Sequence, residues 1–414
     1  MSNVLGIVSE YNPFHNGHLY HLNESKRITH SDYSIAIMTG NFTQRGETSI
    51  VSKWSKTKMA IESGVDLVIE LPTLYAISSA ENFAQGAVKI LNSLGIVDYL
   101  SFGSECDDIS ILDDIANVLC TEPEEYKTLL SHELSKGVSF PKAREKALMM
   151  YLNNVRRFAN VLSSPNNILG IEYLKALKNQ KSAIKPITIK REGSNHNEHT
   201  ILKSSKYASG SAIRNACISK NFSALSNVMP ESSYAILLND IKHGNIVQDI
   251  SCFDKEIIYT LRKMSVEEIA NLPDVSEGLQ FLIKNAANSC NSVIELLSMV
   301  DTKRYTKTRI QRILLYAILG ITKKDMQVSR NIIPYVRILG FNDKGKGVLS
   351  ELSRRNRKLE LVSSVKKFMD KGPNKNLKLL MEKDIWASNV YTLGFEYESK
   401  ANLDYTEKLI TYDE

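Results

Sequence analysis

The first eighteen residues constrain the fold more than any other stretch, because they read in order as a strand, a turn and a helix start. Residues 4–8 are apolar and mostly β-branched, which predicts a strand buried on both faces, and Asn12-Pro13 predicts a turn. A helix is then expected to begin near Asn16, with Asn16 as its cap. This order is typical of a nucleotide site at the carboxyl end of a parallel sheet.

Two histidines flank a glycine at the predicted helix start. A helix N-terminus presents unpaired backbone N–H groups and the positive end of the helix dipole, so it is a ready site for phosphate. Gly17 leaves room for a nucleotide to approach closely. His15 and His18 can direct donors at a phosphoryl group whose negative charge grows in a transition state. Because such a pattern also arises by chance, its place directly after a strand is what favours a catalytic function.

The size and composition of the chain limit the class of protein. Its 414 residues suffice for two or three domains with a large core. A net charge of +6 permits a nucleic-acid partner without requiring one. The five cysteines are far apart in the sequence, as expected of reduced thiols. With no signal-peptide pattern and no long apolar run, we expect a cytoplasmic protein without a membrane span.

Alternating strands and helices predict a parallel α/β sheet in the first half of the chain. Further strands are expected at 34–38, 66–71, 99–105 and 184–189, with helices at 51–64 and 80–94. Residues 107–160 have a helical pattern and are interpreted as an excursion from the sheet. The helix at 51–64 carries Lys53, Lys56 and Lys58, which are expected on a solvated face.

Polar residues follow several of these strands. Gln44 and Arg45 lie in a loop bracketed by glycines, where they can hold a carboxylate or a phosphate or simply face solvent. Asn166 and Asn167 open a helix, and capping is at least as good an interpretation of them as ligand contact. Lys190-Arg191 ends the last of the strands and suits phosphate, although a surface position explains the pair equally well.

A second candidate phosphate site precedes the helix expected near residue 210. Ser209 and Ser211 bracket a glycine, and Arg214 lies on the first helical turn. Hydroxyl, backbone N–H and guanidinium donors together can bind phosphate oxygens. Alone, this pattern is that of a helix cap. Together with the histidine motif, it predicts the second half of a triphosphate site.

Beyond about residue 221 the pattern becomes helical, which predicts a second, mainly α-helical domain. It contains basic residues with an aromatic among them, namely Lys303, Arg304, Tyr305, Lys307, Arg309 and Arg312, and later Lys344, Lys346, Arg354, Arg355, Arg357 and Lys358. Such surfaces fit a folded RNA that is recognised through its backbone and by stacking. Basic helices are usually solvated faces, so this support is modest.

These motifs resemble a known family. His15-Asn16-Gly17-His18 together with residues 209–214 is similar to the motif pair of the nucleotidylyltransferase superfamily. More narrowly, residues 10–18, 40–47, 164–170 and 335–341 resemble the bacterial tRNA(Met) cytidine acetate ligase family, and the resemblance covers essentially the whole chain. It implies a Rossmann-like nucleotidylyltransferase domain with a parallel sheet at 1–220 and a mainly α-helical tRNA-binding domain at 221–414.

The resemblance also implies a reaction. Acetate and ATP would give acetyl-adenylate and pyrophosphate, and the acetyl group would pass to the wobble cytidine of elongator tRNA(Met), giving acetylcytidine and AMP. His15 and His18 would be catalytic, acting on the phosphates. Arg337 and Lys344 are expected to contact the tRNA. Mg²⁺ is expected with the nucleotide, but the sequence shows no ligand cluster for it. No stable protein partner is evident.

The ATP-binding residues that the resemblance implies lie mostly in one segment. They are Ile7, Val8, Ser9, Glu10, Tyr11, Asn12, Pro13, Phe14, His15, Asn16, Gly17, His18, Leu19 and Tyr20, joined by Gly103, Asn166 and Arg191. The choice of Asn166 over Asn167 is open. No ligand is assigned to residues 192–195.

Three alternatives share parts of this pattern. An adenylyltransferase acting on a small phosphorylated cofactor precursor needs the same first domain but gives the basic helical half no purpose. A non-catalytic RNA-binding protein could keep the nucleotide pocket, although the intact His15 and His18 argue against it. An aminoacyl-tRNA synthetase is less favoured, because no Lys-Met-Ser-Lys-Ser-type loop follows the sheet.

Overall fold

The computed structural model of the chain has one mostly parallel sheet at its centre, surrounded by helices. The structure describes residues 3–138, 140–153, 155–158, 161–191, 201, 205–276, 278–301, 305–355 and 359–412. Within these residues the strands are β1 (Asn3–Ser9), β2 (Ser31–Thr39), β3 (Leu67–Leu71), β4 (Tyr99–Ser104), β5 (Lys185–Lys190), β6 (Val336–Asn342), β7 (Leu361–Val362) and β8 (Ile410–Tyr412). Their order is β5-β4-β1-β2-β3-β6-β7, and β8 pairs with β6.

The predicted α/β fold is confirmed, because β1 to β5 are mutually parallel and helices connect them. The helices of the first half are α1 (Asn16–Thr29), α2 (Lys53–Glu62), α3 (Thr73–Ala76), α4 (Ala80–Leu94), α5 (Ile109–Thr121), α6 (Glu124–Ser135), α7 (Phe140–Tyr151), α8 (Val155–Phe158), α9 (Pro165–Asn179) and α10 (Gly210–Ile218). The segment expected to leave the sheet near 107–160 is indeed helical, as α5 to α8.

The second half of the chain is mainly helical, as its sequence pattern predicts. Its helices are α11 (Glu231–Lys242), α12 (Asp254–Lys263), α13 (Val266–Ala270), α14 (Leu279–Ser289), α15 (Val293–Val300), α16 (Lys307–Leu319), α17 (Lys323–Arg330), α18 (Asp343–Arg355), α19 (Val365–Asp370), α20 (Lys375–Tyr391) and α21 (Leu403–Thr406). Short 3-10 helices occur at Phe222–Ala224, Ile250–Phe253 and Thr392–Gly394. No helix in the described ranges is long and apolar enough to span a bilayer.

The sheet separates two hydrophobic cores. Successive side chains of a strand point to opposite faces, and β2 shows this directly: Ile35 and Ile37 belong to one core, whereas Ala36 and Met38 belong to the other. The first core includes α4 and α9, and the second includes α1, α2 and α10. A strand buried on both faces must be apolar throughout, which is why the central strands carry continuous apolar runs.

The helical half also completes the sheet, which the sequence analysis did not predict. β6 pairs antiparallel with β3, and β7 and β8 pair parallel with β6. Gly340 allows close packing in β6, because a Cβ there would lie 2.6 Å from the carbonyl oxygen of Ile410. The sequence pattern predicted no strand beyond residue 221, so β6, β7 and β8 are an addition to the predicted sheet. The division into domains at 220 and 221 stays a prediction.

A buried ion cluster, made of Lys53, Glu70, Arg337 and Asp404, joins the last helix to the sheet. The ammonium of Lys53 lies 2.9 Å from Glu70 Oε1 and 2.6 Å from Asp404 Oδ1. The guanidinium of Arg337 lies 3.0 Å from Glu70 Oε2 and also contacts Asp404. All four side chains are buried, so each charge depends on its partners for compensation.

Candidate active site

Four segments of the chain meet at the edge of the sheet where the parallel strands end. β1, β2, β4 and β5 finish at Ser9, Thr39, Ser104 and Lys190, and their registers bring these ends together. The turn before α1, the loop before α2, the loop after β4 and Arg191 therefore border one region. In open α/β sheets this edge is where ligands bind.

His15 and His18 lie side by side at the start of α1. Their ring centroids are 3.9 Å apart, with an angle of 31° between the rings. His15 Nδ1 accepts a hydrogen bond from the backbone N–H of Gly17 at 3.1 Å, and His18 Nδ1 accepts one from the backbone N–H of His15 at 3.3 Å. In a neutral imidazole the other nitrogen carries the proton. Both rings therefore keep an Nε2–H donor for a ligand.

The helix cap differs from the one expected. α1 begins at Asn16, as predicted, but His15 is the N-cap residue and forms a capping box with His18. The Asn16 side chain instead donates to the backbone carbonyls of Lys206 and Asn227, at 3.0 Å each. Gly17 accommodates the His15 ring, because a Cβ there would lie 2.9 Å from His15 Cε1.

The histidines of this helix are held neutral. Burial, aided by the positive charges of Arg191 and Arg214, lowers the pKa of His15 to about 3. Burial likewise lowers the pKa of His18 well below its usual value, with contributions from His15 and Arg191. In the ligand-free protein these rings are therefore uncharged hydrogen-bond donors at neutral pH.

The second sequence motif lies against the first. Arg214 donates to the carbonyl oxygen of Asn12 at 3.0 Å, to Glu47 at 3.0 Å and to Ser211 Oγ at 3.3 Å. Ser209 caps α10 by accepting from the backbone N–H of Ala212 at 3.0 Å. The expected proximity of the two motifs is thus present, and phosphate binding by the second motif stays a prediction.

Arg191 and Gly103 lie on the other side of the histidines. Gly103 pairs with Ile189 across β4 and β5, and a Cβ on Gly103 would lie 3.3 Å from Arg191 Cγ. The charge of Arg191 lowers the pKa of His15 and also that of His21, which burial mainly lowers to about 4. Arg191 is therefore close enough to act on the same ligand as the histidines.

Asn166 and Asn167 differ in what their side chains contact. Asn167 is buried, and its Oδ1 accepts from the backbone N–H groups of Glu105 at 2.9 Å and Cys106 at 3.2 Å. Asn166 is half-buried and donates to the Glu105 side chain at 2.6 Å. Asn167 thus fixes the loop after β4, which leaves Asn166 the better placed of the two to contact a ligand.

Within the segment assigned to ATP, several side chains are committed to the fold. Ile7, Tyr11 and Phe14 are buried in the second core, with Leu19 packed against it. The Asn12 side chain is also buried, donating to the carbonyl of Thr48 and accepting from the backbone N–H of Ile50. The remaining members of the segment are Val8 and Ser9 at the end of β1, Glu10 and Pro13 in the turn, His15 at the N-cap of α1, and Asn16, Gly17, His18 and Tyr20 in α1.

Lys56 holds the loops of this edge together, and sequence analysis missed it. Its ammonium donates to the carbonyls of Glu10 at 2.9 Å, Thr39 at 2.9 Å and Gly40 at 2.6 Å, and to Ser49 Oγ at 3.0 Å. Lys53 and Lys56 are fully buried, so the solvated face expected for α2 is wrong for both, whereas Lys58 is exposed as expected. Lys53, Lys56 and the buried Met59 follow one another at intervals of three residues, which places them on the same side of the helix. This spacing in the sequence already indicated that the two lysines are buried.

The loop before α2 is fixed rather than open. The backbone N–H of Gln44 donates to Glu10 at 2.7 Å, and its side chain donates to the carbonyl of Ser78. Gly46 has a positive φ of 75°, and a Cβ there would lie 2.5 Å from the backbone nitrogen of Arg312. The loop therefore packs directly on α16 of the helical half.

The two residues expected to bind tRNA lie in different surroundings. Lys344 is exposed, but it follows β6 at the edge where β3 begins, opposite the histidines. Arg337 belongs to the buried ion cluster, so its predicted tRNA contact is not supported: the guanidinium is enclosed and already neutralised by Glu70 and Asp404.

Only some side chains of the basic cluster at the start of α16 are exposed. Tyr305 and Arg312 are buried, and Arg312 pairs with Asp274 at 2.9 Å. Arg309 donates to the Asp274 carbonyl at 2.8 Å, and Lys307 is exposed. Lys303 and Arg304 of this cluster lie outside the described residues, as do Arg357, Lys358 and residues 192–195.

Comparison with known proteins extends these observations to the whole chain. The profile of the HIGH Nucleotidyl Transferase family matches residues 2–406. A tRNA(Met) cytidine acetate ligase from Acetivibrio thermocellus is 45% identical, over 98% of this chain and 99% of the relative. The chain belongs to the tRNA(Met) cytidine acetate ligase family. A member of that family from Thermoanaerobacter sp. strain X514 is 44% identical over 98% of this chain and 99% of its own.

Solved structures agree with this assignment to the tRNA(Met) cytidine acetate ligase family. Thermotoga maritima TmcAL without ligand is 34% identical and superposes with a TM-score of 0.94, each chain being covered completely. The same protein bound with alpha-thio ATP is 33% identical, with a TM-score of 0.93 and the same coverage. The similarity therefore includes the strands and helices of the second half as well as the parallel sheet.

Proposed function

We propose that this chain is an ATP-dependent ligase that acetylates the wobble cytidine of elongator tRNA(Met). The observation that carries the proposal is the extent of the similarity: relatives named tRNA(Met) cytidine acetate ligase match 98% of the chain at 44–45% identity. The site agrees with that chemistry, because neutral histidines, a helix N-terminus and two arginines converge beside the end of β1. A ligase that consumes ATP needs such a cluster of donors for its phosphates.

In the first step, an acetate oxygen attacks the α-phosphorus of ATP. The new oxygen–phosphorus bond gives acetyl-adenylate, and the bond to pyrophosphate breaks. The protein contributes mainly position and charge stabilisation in such reactions. We assign the Nε2–H donors of His15 and His18 to phosphate oxygens, together with the N-terminus of α1. Arg191, Gly103 and Asn166 are assigned to the same nucleotide.

Arg214 has a distinct function in this proposal. In the ligand-free protein its guanidinium is paired with Glu47, which is partly exposed. A triphosphate carries more negative charge than one carboxylate and can accept bidentate hydrogen bonds from arginine. We therefore assign Arg214 to the triphosphate, with Ser209 and Ser211 beside it, and expect the contact with Glu47 to be exchanged on binding.

In the second step, the exocyclic amine of the cytidine attacks the acetyl carbonyl carbon. The carbon–nitrogen bond forms, the bond to the phosphate oxygen breaks, and AMP leaves. No covalent enzyme intermediate is needed, because the adenylate is already an activated acyl donor. The tRNA substrate also implies a cytoplasmic location for the reaction.

Mg²⁺ is expected to arrive with the nucleotide. Among the described residues, no group of three or more His, Cys, Asp or Glu side chains is arranged to hold a metal ion. The ion would then be coordinated mainly by triphosphate oxygens and water, as is common for Mg²⁺.

The deciding experiment is acetate-dependent exchange of labelled pyrophosphate into ATP, followed by nucleoside analysis of tRNA incubated with the protein. The proposal predicts exchange that requires acetate, and acetylcytidine in elongator tRNA(Met). Exchange that requires a small phosphorylated precursor instead of acetate would favour the adenylyltransferase alternative. Absence of exchange with either acceptor would favour a non-catalytic binding protein.

A further inference from the structure

Helix α12 carries a basic, aromatic stripe that the catalytic site does not use. Lys255, Tyr259, Arg262 and Lys263 follow one another at spacings of four, three and one residues, which places them along one side of the helix. The Tyr259 side chain is 66% exposed. Single exposed tyrosines are ordinary, but this one has a distinctive environment.

A cavity of about 320 Å³ opens beside the tyrosine. Its lining residues are Lys255, Ile258, Tyr259, Arg262, Cys290 and Asn291. Ile258 and Cys290 are buried and supply an apolar floor. The cavity thus combines an apolar floor, an exposed aromatic ring and a cationic rim.

The arginine on the rim is held in place before any ligand arrives. Arg262 Nε donates to the carbonyl of Ala287 at 2.7 Å, and Nη2 donates to the carbonyl of Cys290 at 2.8 Å. A guanidinium fixed in this way loses little freedom on binding, and its planar face can stack on a ring.

The charge around the cavity favours an anion. Three carboxylates lie nearby: Asp254 accepts from the backbone N–H of Val293 at 2.8 Å, Glu295 accepts from that of Asn291 at 2.8 Å, and Glu256 follows Lys255 on α12. Lys255 and Lys263 form no ion pair within the part of the chain that the structure describes, and both are exposed. The cavity lining itself contains two cationic side chains, Lys255 and Arg262, and no carboxylate, and Lys263 adds a third cation on the same helix.

Helix α12 begins beside the loop after β2, at the edge of the sheet where β1, β2, β4 and β5 finish. We call this edge the catalytic edge. α12 follows Phe253, whose ring centroid lies 6.3 Å from that of Phe42 in the loop after β2. Tyr259 is six residues further on, which is about 9 Å along a helix that rises 1.5 Å per residue. The helix that carries the cavity therefore packs, at its start, on a loop that borders the candidate active site.

We infer that this cavity receives a nucleobase from the single-stranded loop that carries the target cytidine, stacked on Tyr259. Lys255 and Lys263 contact the flanking phosphates. Single-stranded RNA is recognised by such stacking of splayed bases on aromatic rings, with basic residues along the backbone. The inference rests on the proposed function, because it requires an RNA substrate.

The test compares variants for binding of an unmodified elongator tRNA(Met) transcript to the full-length protein. Tyr259→Ala is expected to raise the Kd about tenfold, since stacking on an aromatic ring is lost, and to raise the KM for tRNA similarly. Tyr259→Phe keeps the ring and should bind nearly as the wild type does. Lys255→Gln is expected to lower the salt dependence of log Kd by about one phosphate contact.

Tyr412 supplies the matched control, because it is another exposed tyrosine, in β8, at the opposite edge of the sheet. Tyr412→Ala should leave tRNA binding unchanged. Tyr259→Ala should retain tRNA-independent pyrophosphate exchange, which shows that it folds. If the wild type acetylates tRNA and Tyr259→Ala has the same Kd and KM, the inference is overturned and the proposed function stands. A change in oligomeric state with unchanged tRNA binding would instead identify a protein interface. A wild-type protein that neither binds nor acetylates tRNA contradicts both proposals.

Discussion

His15 performs two tasks with one ring, and the two can be separated by mutation. Its Nδ1 caps α1 through the N–H of Gly17, while its Nε2–H remains for a ligand. Serine is also a good N-cap but has no donor at the position of Nε2. Capping the helix therefore requires only an acceptor at this position, whereas contact with a ligand also requires the Nε2–H donor.

The first prediction is that His15→Ser preserves the fold and abolishes most adenylation. We expect a melting temperature close to that of the wild type and a loss of about 100-fold or more in acetate-dependent pyrophosphate exchange, as for removal of an oxyanion donor. His15→Ala should also lose the cap, at a cost of about 1 kcal/mol. Near-normal exchange by a folded His15→Ser protein would remove His15 from the phosphate contacts.

The second prediction concerns acid pH. In the folded protein burial lowers the pKa of His15 to about 3 and that of His21 to about 4, whereas an unfolded histidine titrates near 6.5. Between about pH 6.5 and 4 the unfolded chain therefore binds more protons. The free energy of unfolding should fall as the pH falls through this window, by up to about 1.4 kcal/mol per pH unit for each such histidine.

Urea unfolding at pH 7.5, 6 and 5 measures this dependence. Carboxylates also titrate at the acid end of the window, so the comparison is between the wild type and His21→Gln. The variant should lose less stability than the wild type between pH 7.5 and 5. Identical losses would show that His21 is not held neutral by its surroundings.

At the scale of elements, helix α2 holds two loops of the catalytic edge together through the side chain of Lys56. Lys56 joins the carbonyl of Glu10, in the turn after β1, to those of Thr39 and Gly40 after β2. Two loops that must present donors to one nucleotide are thus held by a single ammonium. An ammonium has three donors and a compact charge, so it can satisfy several converging carbonyls.

The third prediction is that Lys56→Met strongly destabilises the protein. Buried carbonyl oxygens would lose their donor, at a cost of about 3 kcal/mol in the free energy of unfolding. Lys58→Met is the control, because Lys58 lies on the same helix, is exposed and has only a 3.8 Å contact with Glu62. Urea unfolding of both variants checks the prediction, and equal stabilities would refute the function assigned to Lys56.

Helices and strands could be predicted from the sequence where the pattern that specifies them lies within a few neighbouring residues. β1, α1 and α4 follow from apolar periodicity within a few residues. In α2 Lys53 and Lys56 were misassigned, because charge was taken as evidence of exposure although their spacing matched a buried stripe. Glu70 within the apolar strand β3 was a further signal, since a buried carboxylate needs a cationic partner.

The whole molecule depends on contacts that no local pattern contains. β3 and β6 pair although about 270 residues separate them, and nothing within either strand specifies the other. The place of His15 and His18 at the end of β1 was predictable, because their motif follows that strand directly in the sequence. The burial of Arg337 was not, because it depends on Glu70 and Asp404, which approach it from distant parts of the chain.

The last prediction uses the Asp404→Asn variant to test one of these long-range contacts, the ion pairs of Asp404 with Lys53 and Arg337. Asp404 is buried and compensates both Lys53 and Arg337, and these cations hold the pKa of its carboxyl below the usual value. The asparagine side chain has the same shape without the charge, so among the described residues Glu70 would be the one carboxylate still paired with these two buried cations. Removing one partner of a buried ion pair typically costs about 3–5 kcal/mol.

We therefore expect the Asp404→Asn protein to unfold at a markedly lower urea concentration than the wild type. Glu407→Gln is the control, because Glu407 is exposed just after α21 and its neutralisation should change stability by less than about 0.5 kcal/mol. If Asp404→Asn matches the control, the buried ion cluster does not fasten the end of the chain to the sheet. If it is destabilised as expected, the last helix is part of the structure that supports the catalytic edge, since Lys53 also donates its backbone N–H to Asn41 in the loop after β2.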